Sequence, residues 1–173
     1  YGLVARMLHW GIGLLVLGLI AVGFFSASLA DDDPLKERLI GVHAPTGVLV
    51  LFLSLARLAW YAVSRPPPLP TALLGWEKVL TRIVAIGFLV LLLVQPLLGI
   101  IAFDYYDAPV SVFGLFELPA FLAKDMDKVG QFGGLHELVG FVLAGLIVLH
   151  VAGALKHRYL DKGRDVDVLK RML

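Results

Sequence analysis

Five histidines are the residues of this chain best suited to bind a metal or carry electrons: His9, His43, His136, His150 and His157. The chain contains no cysteine, which excludes disulfides, thiolate-bound metals, iron–sulfur clusters and haem attached through thioether bonds. Histidine or carboxylate side chains must therefore hold any metal. An ionisable side chain inside an apolar helix is costly, so a histidine there usually marks a functional pathway or has a bonded partner.

The elements that carry these histidines are predicted to span a membrane. The 173 residues are 59% hydrophobic and 17% charged, with a mean hydropathy of +0.86. A soluble domain is about half apolar and a quarter charged, so the composition argues against a water-soluble fold. Four apolar stretches lie at about 8–25, 43–63, 83–103 and 135–155. Each approaches the roughly 20 residues that cross a hydrocarbon core, and none alternates like a membrane β-strand. We therefore expect a single all-α membrane domain, residues 1–173, folded as a transmembrane four-helix bundle.

The connections and the charge give the predicted orientation. Breaks fall at 31–34, 65–70 and 104–134, and the first stretch reads as a retained helix, not a signal peptide. Four spans place both termini and the 64–82 connection on one side, which sums to +7 when Lys162 and Arg164 are included, against −6 on the other side. The positive-inside rule predicts that both termini are cytoplasmic, with a cytoplasmic tail at 156–173, in a multi-pass bacterial inner-membrane protein. The net charge of +1 gives no reason to expect a nucleic-acid partner.

Depth in the membrane sorts the histidines into two pairs. His9 and His150 lie near the cytoplasmic ends of the first and fourth helices, and we expect His43 and His136 to open the second and fourth helices on the outer side. His136 and His150 are fourteen residues apart, which is about 21 Å along a helix and within about 40° of one face. The pairing this predicts is His9 with His150 and His43 with His136.

The number of ligands at each level favours haem over a bare metal. Zinc needs about four ligands at one point, whereas a haem iron has four ring nitrogens and needs two axial side chains. A single histidine at a helix end is more often an interfacial polar residue, but four at matched depths favour two b-type haems. Glycines near these positions fit a closely packed macrocycle or, equally, plain helix–helix contacts: Gly11, Gly13, Gly41, Gly47, Gly140 and Gly153.

The motifs around the histidines resemble the bacterial cytochrome b561 family. They are Arg6-Met7-Leu8-His9-Trp10, Ile40-Gly41-Val42-His43, Gln95-Pro96-Leu97-Leu98-Gly99, Leu135-His136-Glu137 and Lys156-His157-Arg158-Tyr159, and the similarity spans nearly the whole chain. The resemblance implies a diheme b cytochrome with His9, His43, His136 and His150 as axial ligands, and a quinone site that includes His157. Some members oxidise superoxide at the outer face and reduce ubiquinone, and others conduct electrons for hydrogenases and dehydrogenases.

The expected function is therefore a superoxide:ubiquinone oxidoreductase. The alternative is an electron conduit for a partner dehydrogenase or hydrogenase with a periplasmic redox donor, and a third hypothesis is a metal transporter. Two axial histidines leave no open iron position, which favours electron transfer at the haem edge. Superoxide would be attracted by the four outer cations, Lys36, Arg38, Lys124 and Lys128, but the outer charge of −6 would repel it unless these cations cluster.

The quinone end is predicted at the cytoplasmic interface. Arg6, Trp10, His157 and Arg158 should gather there, where a quinone carbonyl could accept a hydrogen bond and a ring nitrogen could supply a proton. The alternative is an ordinary belt of aromatic and basic residues in contact with lipid headgroups. Gln95, beside a proline in the third helix, is predicted to hydrogen-bond inside the bundle.

Overall fold

Four long helices form the protein. The computed structural model describes residues 1–161 and 165–172, so Lys162 and Arg164, which contribute to the positive side, lie outside the described residues. The elements are α1 (Leu3–Ala27), α2 (Pro34–Val63), α3 (Gly75–Tyr106), β1 (Val110–Val112), β2 (Phe116–Leu118), α4 (Met126–Tyr159) and a short 3₁₀ helix (Leu169–Arg171). The four long helices are each long and apolar enough to cross a membrane. The protein is a multi-pass helical membrane bundle.

Capping residues start two of these helices well before their apolar segments. Asp33 accepts a hydrogen bond from the backbone of Leu35 at 2.8 Å and begins α2, and Asp125 caps α4 in the same way. The prediction that His43 and His136 open their helices is therefore wrong, because they lie nine and ten residues inside them. Hydropathy reports the part of a helix in hydrocarbon, whereas the cap decides where the helix begins. At the other end, α4 runs to Tyr159 and includes the first residues of the expected tail.

The helices pack in sequence, α1 on α2, α2 on α3 and α3 on α4. The largest buried cluster takes residues from all four: Ile12, Val16, Val50, Leu92 and Leu143. Large apolar side chains cover the outside instead, and Leu14, Ile86 and Val148 are each at least 60% exposed. This distribution is expected for a bundle that is solvated by lipid, because the outer surface gains nothing by being polar.

A β-hairpin lies in the 104–134 connection, where the sequence predicts only a polar joint. β1 pairs antiparallel with β2, with Val110 opposite Leu118. The turn between them has positive φ at Phe113 (53°) and Gly114 (72°), a geometry that matches the twist of a tight hairpin. β1 packs on Val48 of α2. Three-residue strands are too short to show a period in the sequence, which is why the hairpin could not be predicted.

Candidate functional site

We call His9 and His150 the inner pair and His43 and His136 the outer pair, after their predicted depths. The inner pair connects α1 and α4. His9 of α1 and His150 of α4 have ring centroids 6.0 Å apart and ring planes at 66°. Trp10 lies edge-on to His9 with centroids 5.4 Å apart, and Phe88 of α3 lies edge-on to His150 at 5.3 Å. Two imidazoles from separate helices thus meet between aromatic side chains at one end of the bundle.

The outer pair has the same separation. His43 of α2 and His136 of α4 have ring centroids 6.0 Å apart and ring planes at 73°. Each ring lies against a glycine: a Cβ on Gly23 would come within 3.3 Å of His43 Cε1, and a Cβ on Gly99 within 3.2 Å of His136 Cε1. These contacts are tighter than ordinary packing allows, so the two glycines admit the imidazoles.

Those two glycines are not the ones that the sequence analysis selected. Among the selected set, a Cβ on Gly140 would meet Gln95 Nε2 at 3.4 Å. For the other five no atom lies within 4 Å of such a Cβ: Gly11, Gly13, Gly41, Gly47 and Gly153. Gly23 and Gly99 lie on helices other than those of the histidines they contact, so nearness in sequence could not reveal them.

Gln95 ties α3 to the outer pair through two hydrogen bonds. Its side-chain Nε2 donates to the backbone oxygen of His136, and its own backbone oxygen lies 2.9 Å from His136 Nδ1. The predicted hydrogen-bonding role of Gln95 is confirmed. When Nδ1–H donates to a carbonyl, Nε2 is left as the unprotonated nitrogen that can bind a metal.

The geometry of each histidine pair fits the two axial ligands of one haem iron. Imidazoles bound on opposite sides of a metal by bonds of about 2 Å have ring centroids roughly 6 Å apart. Within the described chain, Nδ1 of His9 and Nδ1 of His43 are buried without a hydrogen-bond partner, a cost that packing alone does not explain. Neither pair joins a third histidine or carboxylate in a metal-sized group among the residues described, so neither supplies the set that zinc needs.

A cluster of four ionisable residues lies beyond the inner pair, at the end of α4. This inner polar cluster consists of Glu77, Lys156, His157 and Asp161. Lys156 Nζ lies 2.8 Å from both Glu77 Oε1 and Asp161 Oδ2, and His157 Nδ1 lies 2.7 Å from the same Asp161 oxygen. The donor atoms of the other three lie within 4.8 Å of one another, as a metal site requires. The Lys156 ammonium, however, already supplies the cation for both carboxylates.

The remaining residues predicted for the quinone site lie near the C-terminal segment. Trp10 Nε1 donates to the Met172 backbone oxygen at 2.9 Å, and Arg158 Nη1 bonds Asp167 Oδ2 at 3.2 Å. Arg6 is half-buried one helical turn before Trp10. The structure thus places Trp10 and Arg158 against residues 165–172, while His157 belongs to the inner polar cluster.

The four outer cations divide into two sets. Lys36 is hydrogen-bonded to Asp31 at 2.6 Å, and this ammonium lowers the pKa of the Asp31 carboxyl. Lys128 lies 3.7 Å from Asp125 and over the Tyr105 ring, Lys124 lies over the Tyr106 ring, and Arg38 is exposed. No described contact joins Lys36 or Arg38 to the other two. Carboxylates therefore offset two of the cations that the superoxide hypothesis needs.

Comparison with known proteins gives a family match over the whole length of the chain. Residues 1–173 match the family model of prokaryotic cytochrome b561. The chain belongs to this family. It is 33% identical over 178 residues to cytochrome b561 homolog 2 of Escherichia coli (strain K12), in an alignment that covers 100% of this chain and 90% of that protein. This cytochrome is accordingly a membrane electron-transfer protein with b-type haem, the cofactor that the histidine pairs fit.

Arg57 is a further candidate site residue, to which the sequence analysis assigned no role. It lies on α2 within electrostatic range of both His9 and His150, and its Nη2 is 3.2 Å from the Tyr61 hydroxyl. No carboxylate forms an ion pair with it in the described part of the chain. The propionates of a b-type haem are anions that a cation at this level could bind. The sequence spacing could have indicated its depth, since Arg57 follows His43 by fourteen residues, the same number that separates His136 from His150.

Proposed function

We propose that this protein is a diheme cytochrome of the inner membrane that passes electrons from a donor at the outer face to ubiquinone at the cytoplasmic face. His9 and His150 would hold the inner haem, and His43 and His136 the outer haem, with both termini in the cytoplasm. The main support for this proposal is that histidines from different helices form two pairs, each with ring centroids 6.0 Å apart. The two pairs lie about 21 Å apart along α4.

The two haems would supply one-electron transfer across the bilayer. With one imidazole from each of two helices as ligands, each haem would have no position left for a substrate, so donor and acceptor would react at the edge of each site. The protein holds the imidazoles, keeps water away with apolar side chains and sets the local charge. The backbone carbonyl of Gln95 orients the His136 ring, and Gly99 leaves space for it. Arg57 contributes positive charge near the inner pair.

His157 is the residue we assign to the quinone. Its ring is held through Nδ1 by Asp161, and its side chain is 10% exposed, so Nε2 is the nitrogen left to bond a quinone carbonyl. A quinone takes up protons as well as electrons, and a histidine near the aqueous boundary can supply one. Lipid-facing apolar side chains on the same helix suit the isoprenoid tail of ubiquinone.

For the donor, we propose superoxide. Lys124 supports it, since its ammonium group lies over the Tyr106 ring at the outer end of α3, has no carboxylate partner among the described residues, and can attract an anion there. The second candidate is a periplasmic redox protein that uses this chain as its conduit. The carboxylate partners of Lys36 and Lys128 favour it, as do apolar side chains exposed around the hairpin, Leu115 and Phe121 among them.

The first experiment counts haems. A pyridine haemochrome assay on the purified protein should give two haems b per chain, and a reduced-minus-oxidised spectrum should show both. A colourless polypeptide, or one haem per chain, would remove the diheme proposal. Iron in haem stoichiometry would also exclude the metal-transporter hypothesis.

The second experiment separates the donors. Superoxide generated in the presence of purified protein and a short-chain ubiquinone should disappear faster than in buffer, with quinol formed. Retained electron transfer to quinone from a chemical reductant, but no effect on superoxide, would favour the conduit. Co-purification of a flavin-, haem- or metal-containing subunit would then identify the donor.

A further inference from the structure

The inner polar cluster contains ionisable groups that electron transfer alone does not use. Glu77 is a carboxylate with only 3% of its surface exposed, in the first turn of α3. Burying an ionised carboxylate is costly unless it is paired and hydrogen-bonded. Glu77 meets both conditions, because one oxygen accepts from the Leu74 backbone at 2.8 Å and the other lies 2.8 Å from Lys156 Nζ.

The contacts run in series from α3 to the His157 ring. Glu77 holds Lys156, Lys156 holds Asp161, and Asp161 holds His157, each at 2.7–2.8 Å. Asp161 lies just after α4, where its backbone N–H donates to the Lys156 carbonyl at 3.2 Å. The carboxylate of Asp161 is thus fixed from two directions, and the orientation of the imidazole depends on it.

The bond to Asp161 decides which ring nitrogen faces a ligand. Nδ1 lies 2.7 Å from Oδ2, so Nδ1–H donates to the carboxylate and Nε2 is the ring nitrogen that Asp161 does not engage. When both ring nitrogens are protonated, Nε2 carries the second N–H and can donate it to a ligand. Among the described residues, the charged groups bonded in this cluster include the Lys156 ammonium and the Glu77 carboxylate, while the nearby Arg158 is bonded to Asp167.

We propose that Asp161 is a positioning residue for proton delivery to quinone: it orients His157 so that Nε2–H is directed at a quinone carbonyl, with the Lys156–Glu77 pair holding Asp161 in place. This inference rests on the proposed reduction of quinone at the cytoplasmic face. Within that function it adds the residue that directs His157 and the two residues that hold this residue.

The step balances as follows. Reduction of a quinone to a quinol takes two electrons and two protons. The donor is the doubly protonated His157 ring, with Nδ1–H on Asp161 and Nε2–H at the quinone carbonyl. There the Nε2–H bond breaks and an O–H bond forms, which leaves a neutral ring that regains a proton from cytoplasmic water. The second carbonyl takes its proton from water. The two electrons come from two one-electron donations at the outer face, which in the proposed function convert two superoxide ions into two molecules of dioxygen.

The test compares an acceptor that needs protons with one that does not. Full-length haem-loaded protein is reduced with dithionite and mixed in a stopped-flow instrument with a short-chain ubiquinone or with ferricyanide, while haem reoxidation is followed. In Asp161→Asn the quinone reaction should slow about 10-fold to 100-fold at saturating quinone, with little change in KM. The ferricyanide reaction should keep the wild-type rate, because ferricyanide takes an electron without a proton.

Two further variants complete the design. Asp165→Asn removes the same charge from an exposed position on the C-terminal segment and should leave both reactions unchanged. Asp161→Glu keeps the carboxylate but lengthens its side chain, so it should recover part of the lost quinone rate. It also serves as the test variant if Asp161→Asn retains too little haem, and it should then show a slower quinone reaction and a wild-type ferricyanide reaction.

The outcomes separate the inference from the function beneath it. If wild-type haem is not reoxidised by quinone, the proposed quinone reduction is wrong. If the wild type reacts with quinone and Asp161→Asn reacts equally fast, the role of Asp161 is wrong. Equal slowing with quinone and ferricyanide would show that Asp161 only supports the fold, which also overturns the inference.

Discussion

The two ends of this bundle hold histidine pairs of the same separation in different surroundings. At the inner end, the pair has a cation nearby in Arg57 and a cluster of paired ionisable groups beyond it. At the outer end, the imidazoles lie against glycines and a backbone carbonyl. The β1–β2 hairpin packs on Val48 of α2. The inner surroundings can carry protons, and those described at the outer pair are mainly apolar or backbone groups.

This contrast teaches that the cofactor sites and the chemistry at each end are set by different residues. In the proposed function the paired imidazoles hold the two haems, and their ring centroids are equally far apart at both levels. The neighbours determine which reaction takes place. An acceptor that needs protons suits the end with His157 and Asp161, whereas a donor that releases only an electron suits the outer end.

Replacing one axial histidine should remove one haem and leave the other in place. His43→Ala should remove the outer haem and leave the inner one, and His150→Ala should do the reverse, because each iron needs both of its axial ligands. Haem content should fall from two to about one per chain, read by pyridine haemochrome and by the redox titration of the remaining haem. His157→Ala is the matched control and should keep both haems. Loss of both haems in either ligand variant would show that the two sites are not independent.

The second prediction tests whether glycine is what admits the outer imidazole. Gly99→Leu should lower the content of the outer haem strongly and Gly99→Ala less so, since even a Cβ would lie 3.2 Å from His136 Cε1. Gly145→Ala is the control, because no atom lies within 4 Å of a Cβ there. The same measurements of haem content apply, and an unchanged outer haem in Gly99→Leu would contradict the close-approach argument.

The third prediction concerns Arg57, the cation described within electrostatic range of the inner pair. Arg57→Met should lower the reduction potential of the inner haem by roughly tens of millivolts, because a positive charge stabilises the reduced state. The outer potential should not change. Arg38→Met, at an exposed position near the start of α2, is the control and should leave the inner potential as in the wild type. Equal shifts of both haems in Arg57→Met would place the arginine's influence elsewhere.

The smallest expected effect is at Gln95. Gln95→Leu removes the side-chain hydrogen bond to the His136 backbone but keeps the carbonyl that orients the ring. The loss should be about 1 kcal/mol of stability with both haems retained, measured by denaturant unfolding in detergent and by the visible spectrum. Loss of the outer haem would mean that the side chain, and not the backbone, orients His136.

Much of the architecture could be predicted because it depends on local properties of the chain. Hydropathy predicted the four membrane helices, and the regular rise of a helix placed the histidines at two depths. The structure brings together the pairs chosen in this way, and their binding of haem stays a prediction. The role of Gln95 was also accessible, since a polar amide in an apolar helix must find a partner.

What the sequence by itself determined was therefore the number of helices, the depth of their histidines and the family of the protein. Only the tertiary structure decided that Gly23 and Gly99 receive the imidazoles, that Arg57 lies beside the inner pair, and that Lys156 bonds Glu77 seventy-nine residues away. The physical reason is that hydropathy and helix rise act along the chain. Contacts between helices depend on their rotation and on their ends, which packing and capping fix together.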